Sequence, residues 1–184
     1  AGGVNPRSCG EAARALIAEQ GLDLKVAVIL GDDLLAQKDG LTATEMFSGD
    51  SLPDPDRLAS VNAYLGAFPI AQALADGADI VITGRSVDSA VTLGACIHEF
   101  GWAADDWDKL SGGTLAGHLL ECGPQATGGN FTDWHLVVDS IDTIGYPLGE
   151  VRGDGSFDLV KPTGTGGTVS VGTVSEQMIY EIGD

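Results

Sequence analysis

The sequence predicts an α/β fold, with a mostly parallel sheet, βαβ units and glycine-rich βα loops. Three observations carry this reading. Residues 24–30 (LKVAVIL) and 79–83 (DIVIT) are short, continuous apolar runs rich in β-branched side chains. Such runs are the mark of strands buried on both faces of a parallel sheet. Each run stops at a glycine followed by polar residues, Gly31-Asp32-Asp33 and Gly84-Arg85-Ser86. Helical patterns lie before, between and after the two runs, and that alternation builds βαβ units.

Taken in order, residues 11–20 read as a helix with Ala12, Ala15, Leu16 and Ala18 on one face and Gly21 as its stop. After the first strand, residues 39–57 hold Gly40, Gly49, Pro53, Pro55 and four Asp, which is loop chemistry. A loop of that length suits a functional lid. A helix is expected over 62–76, interrupted by Pro69, and the second strand follows at 79–83. Residues 90–100 read as a helix and 102–109 as an acidic turn carrying two Trp. The next helix, 110–122, contains Gly112, Gly113 and Gly117, so close backbone approach is expected along it. Gly123-Pro124 ends it. Turns are expected at 127–131 and 145–147, a short strand at 156–160, and a helix at 168–182 after the 161–167 loop. The whole reads as one domain, 1–184. The opening Ala1-Gly2-Gly3 without an initiator Met suggests a piece of something longer and an incomplete domain.

Composition narrows the function classes. At 43% hydrophobic and 20% charged the chain is globular rather than disordered. Nine Lys and Arg against 27 Asp and Glu leave a net charge of −18. That charge repels nucleic-acid phosphates and anionic lipid, so the expected partner is a small molecule. No apolar run reaches the length of a membrane span. Three cysteines, Cys9, Cys96 and Cys122, cannot pair fully and fit a reducing cytoplasm.

Candidate chemistry gathers at strand ends and glycine-rich loops, where open α/β sheets bind ligands. Asp32, with Asp33 beside it, offers a base or, equally, a helix cap. Arg85 and Ser86 at the second strand end are placed to fork a carboxylate or phosphate, with Asp88 as a base or as the partner of Arg85. Gly164, Thr165, Gly166 and Gly167 precede a predicted helix and suit an anion cradle, but lack the Lys-Ser/Thr of a P-loop. His118, Glu121 and Cys122 fall at i, i+3 and i+4 of the predicted helix, so imidazole could activate the thiol. Gly128, Gly129 and Asn130 could then stabilise an oxyanion. No ligand set with structural-zinc spacing is present, and the His118–Glu121–Cys122 trio would need a further ligand to hold a metal, so no metal is assigned.

Several strings are similar to the acyclic terpene utilisation A (AtuA) family. They include Asn62-Ala63-Tyr64-Leu65-Gly66-Ala67, Gly77-Ala78-Asp79-Ile80-Val81-Ile82-Thr83-Gly84-Arg85 and Gly117-His118-Leu119-Leu120-Glu121-Cys122-Gly123. Ala126-Thr127-Gly128-Gly129-Asn130-Phe131, Pro162-Thr163-Gly164-Thr165-Gly166-Gly167 and the opening Ala1-Gly2-Gly3-Val4-Asn5-Pro6 fit as well. Family members are longer, so the chain resembles a central part of the family's main domain, with a dimer as one way to complete the sheet edge. The resemblance implies breakdown of citronellol- and geraniol-type compounds through branched acyl-CoA thioesters. It brings no settled catalytic residues and no certain cofactor beyond a coenzyme A thioester as substrate. Joined to the residues above, it implies a hydratase or lyase step. The alternatives are an ester or thioester hydrolase using Cys122 or Ser86 with His118, and a non-catalytic subunit of an acyl-CoA pathway enzyme.

Overall fold

The structure is a computed structural model and describes residues 5–182. The chain forms two compact units that divide between Val87 and Asp88.

In the first unit, α1 (Pro6–Glu19) starts five residues before the expected position. The reason is local. Asn5 caps it by accepting from the Ser8 amide at 3.0 Å, and Pro6 takes the first helical position, where its missing N–H costs nothing. Helix α1 packs on β1 (Val26–Ile29), where Gly10 lies so close to Val28 that a β-carbon would overlap it. β1 pairs in parallel with β2 (Ile80–Thr83), in the register Val26↔Ile80 to Ile29↔Thr83, and α2 (Phe68–Ala75) forms the crossover. Both predicted strands are present. Helix α2 begins six residues later than expected, with Pro69 inside its first turn rather than interrupting it. Residues 61–65 are instead drawn out beside the strand ends, where Ala63 N–H donates to Asp32 O at 2.8 Å and Leu65 N–H to Arg85 O at 2.9 Å. The 39–57 loop holds the short turn Pro55–Arg57 and an isolated bridge, Thr44↔Ser51.

In the second unit, α3 (Ala90–Phe100) matches its predicted limits and ends on Gly101, at φ 64°. It packs against α4 (Trp107–Glu121). The glycines of α4 do what their sequence positions suggest. A β-carbon on Gly117 would come within 2.6 Å of Ser89 O, and one on Gly113 within 2.8 Å of Leu93 and Trp102. Trp102 is buried and donates its indole N–H to Gly153 O at 2.9 Å. β4 (Phe157–Val160) pairs antiparallel with β3 (Leu148–Val151). Sequence reading misses β3, because Pro147 and Gly149 bracket its start with turn signals. Helix α5 (Val171–Ile179) is shorter than the expected 168–182, since Ser170 and Thr173 cap each other reciprocally and set the start.

The described residues do not show the expected mostly parallel sheet. Among the described residues there is one two-stranded parallel sheet and one two-stranded antiparallel sheet, amid helices. Apolar runs announce strands but do not report how many neighbours each strand acquires. No helix among the described residues is long and apolar enough to cross a membrane.

Candidate functional site

In the first unit the ends of β1 and β2 are tied by a single side chain. Asp32 is buried, and one carboxylate oxygen accepts from the Arg85 amide and from Asn62 Nδ2, each at 2.8 Å. Gly84 lies so close to this carboxylate that no β-carbon fits. Asp32 thus acts as a cross-link between strand ends. Arg85 is exposed, with its guanidinium 4.7 Å from the centre of the Tyr64 ring and a hydrogen bond to the Tyr64 hydroxyl. Ser86 bridges Leu65 through its backbone, in parallel sense.

In the second unit the two glycine-rich segments close on each other. Gly166 N–H donates to Thr143 O at 2.8 Å, and Gly167 N–H to Ser140 Oγ at 3.0 Å. Thr168 N–H donates to Thr127 O at 2.8 Å. Thr165 donates to Pro162 O through both its amide and its hydroxyl, and Gly164 turns the loop at φ 82°. Gly128 and Gly129 donate to Gln125 O and Pro124 O, and Asn130 stands exposed after them. The amides expected to cradle an anion or oxyanion are thus largely bonded within the chain. Helix α5 begins only at Val171, beyond the loop.

The remaining candidates gather where α4 ends. Glu121 is the last residue of α4, Asp88 lies just before α3, and Glu181 follows α5. Oxygens of the three carboxylates lie within 4.8 Å of one another. Asp88 and Glu121 belong to the sequence-read set. Glu181 does not, because it falls inside the helix expected at 168–182. No local signal marks it, and only its left-handed backbone, φ 61°, sets it apart.

Cys122 lies beside this cluster and donates its thiol proton to Glu121. Its pKa is pushed up to about 11. Burial is the largest cause, followed by the hydrogen bond and charge of Glu121, with the Glu181 charge adding to them. The Gln177 amide pulls the other way, ahead of the Glu181 charge in size. The expected His118–Cys122 pairing is not formed. Cys122 has left the helix, at φ −88° and ψ 24°, and His118 Nε2 lies 3.1 Å from Met178 O instead. Gln177 of α5 is buried, with Nε2 donating to His118 O at 2.9 Å and Oε1 unbonded. All three cysteines are free.

Fold and site together describe a mixed helix-and-strand protein whose second unit gathers acid–base side chains, with its one neighbouring thiol held protonated. The chain belongs to the acyclic terpene utilisation family, protein AtuA, whose family model matches residues 1–184. No curated protein and no solved structure matches it. Family membership suggests involvement in acyclic terpene utilisation, and the reaction has to be argued from the site.

Proposed function

We propose that the chain carries out a proton-transferring hydratase or lyase step on a branched terpenoid acid or its coenzyme A thioester. The observation that supports this most is the convergence of Asp88, Glu121 and Glu181 within 4.8 Å. A reaction that adds or removes water across a double bond needs one group to give a proton and another to take one, and the cluster offers several carboxylates side by side. Family membership supports the substrate class.

The hydrolase alternative has less behind it. A nucleophilic cysteine works as a thiolate, whereas this thiol is held near 11 and lacks the imidazole partner. The net charge of −18 and the internally bonded glycine loops give an anionic coenzyme little to hold, so the acyl part is the portion the site serves best.

The test is incubation of the chain with a branched α,β-unsaturated acyl-CoA and the free acid in deuterated water, read by mass spectrometry. Water addition or α-deuteration is expected, with Glu121→Gln and Asp88→Asn each lowering the rate by about 10² to 10⁴. Full activity in both variants would overturn the reading. So would release of free coenzyme A that vanishes in Cys122→Ala, which would install the hydrolase in its place.

A further inference from the structure

We propose that the 39–58 loop of the first unit encloses a pocket for an uncharged, apolar molecule of about ten heavy atoms with one oxygen acceptor, such as a medium-chain alcohol. The site lies within the first unit and draws on none of the carboxylates argued above for proton transfer.

The first observation is the cavity itself. It measures about 320 Å³ and lies between the 3₁₀ helix Leu35–Gly40 and the chain that follows it. At roughly 30 Å³ for each water-sized group, it holds on the order of ten heavy atoms, the lower end of small-molecule pockets. Leu41, Leu52, Pro55 and Leu58 line it, each half-buried, so apolar surface borders the space instead of being sealed in the core. The walls are braced by the chain alone. Thr44 and Ser51 form a bridge, and Asp54 Oδ1 accepts from the Asp56 amide at 2.9 Å. Pro53 and Pro55 fix their own φ. A pocket built in this way loses little further freedom when a ligand enters.

The second observation is Lys38, which lines the same cavity with its side chain 27% exposed. An ammonium carries three N–H donors. One goes to Pro55 O at 2.9 Å, and Asp56 Oδ1 lies 3.5 Å away. No acceptor among the described residues takes the third. A donor left over beside apolar surface calls for a ligand that is apolar with one oxygen. Charge decides which oxygen. Asp39 also lines the cavity and Asp56 adjoins the ammonium, so two carboxylates already outweigh one cation, in a chain of net charge −18. A ligand carboxylate would bring a third anion. A ligand ammonium would face Lys38 and has no lone pair with which to accept. A neutral hydroxyl or carbonyl oxygen accepts the spare N–H and adds no charge.

The experiment is an NMR titration of the methyl-labelled full chain with 1-octanol. The methyl signals of Leu41, Leu52 and Leu58 should shift along one saturating curve, with a Kd of about 0.1–5 mM for a ligand of this size. Lys38→Met keeps the stem and removes the donor, and should weaken binding about threefold to tenfold. Leu52→Ala should weaken it by a similar factor through lost apolar contact. Lys109→Met, which removes a cation from the second unit, is the control and should leave it unchanged. Octanoate and octylammonium should each bind more weakly than 1-octanol. Thermal melts show whether each variant folds, and the three-ligand comparison on the parent chain decides even where one does not. Absence of shifts at these methyls would overturn the proposal. So would equal binding in Lys38→Met and Leu52→Ala, which would mark adsorption on exposed apolar side chains such as Met46 and Phe47. Tighter binding of octanoate would make Lys38 an anion site, and tighter binding of octylammonium would make the loop an acidic cation trap. Either would overturn the neutral ligand.

Discussion

At the scale of the residue, Cys122 shows how a neighbour reverses an expectation. Its position four residues after His118 suggests an activated thiol, yet it donates to Glu121 and is held up to about 11. Alkylation of Cys122 in a Cys9→Ala background should therefore still be accelerating at pH about 10, where an ordinary thiol with pKa near 8.5 has levelled off. Glu121→Gln should move the profile to lower pH, since it removes the anion that disfavours the thiolate. A plateau near pH 9 in the parent protein would contradict this. The same linkage acts on stability. The folded pKa lies above the unfolded one, so the contribution is complete below about 9 and is lost as the pH rises through about 11. Asp32 is the contrasting case. Its sequence offers a base or a cap, and the fold makes it a tie between strand ends. The distinction lies 53 residues away at Arg85, beyond what local pattern contains.

At the scale of the element, legibility follows the range of the forces involved. β1, β2 and α3 were readable because apolar runs and periodicity are local. The starts of α1 and α5 depend on caps, Asn5 and the Ser170–Thr173 pair, which are also local and can be read once sought. Helix α2 and β3 were misjudged where a proline or glycine carries two meanings, and the contacts of 61–65 with Asp32 and Arg85 settle the first. The α3–α4 contact offers a direct check. Gly117→Ala places a methyl within 2.6 Å of Ser89 O. Overpacking of this kind costs about 1–3 kcal/mol, against a gain in helix propensity of roughly 1 kcal/mol. Urea unfolding should show net destabilisation. A variant at least as stable as the parent would mean that the two helices part freely at this point.

At the scale of the whole molecule, charge dominates. With 27 acids and nine cations, self-repulsion opposes folding over the entire surface. Monovalent salt from about 10 to 150 mM shortens the screening length from about 30 to 8 Å. The melting midpoint should rise over that range, and an unchanged or falling midpoint would show that the acids are already compensated. The fold class was legible at this scale, while the sheet's extent was not. Two strong strand signals sufficed for α/β, but each sheet among the described residues has only two strands.

Family, charge, the strand cores of the first unit and the need for glycine along α4 are all legible in the amino-acid sequence. These properties belong to composition or to stretches of a dozen residues, within which periodicity and turn chemistry act. Which acids meet is settled by long-range packing. Asp88, Glu121 and Glu181 lie 33 and 60 residues apart, and the packing of α4 against α3 and α5 brings them within 4.8 Å. Gln177 of α5, bonded to the His118 carbonyl of α4 across 59 residues, is one such long-range contact that no local pattern records.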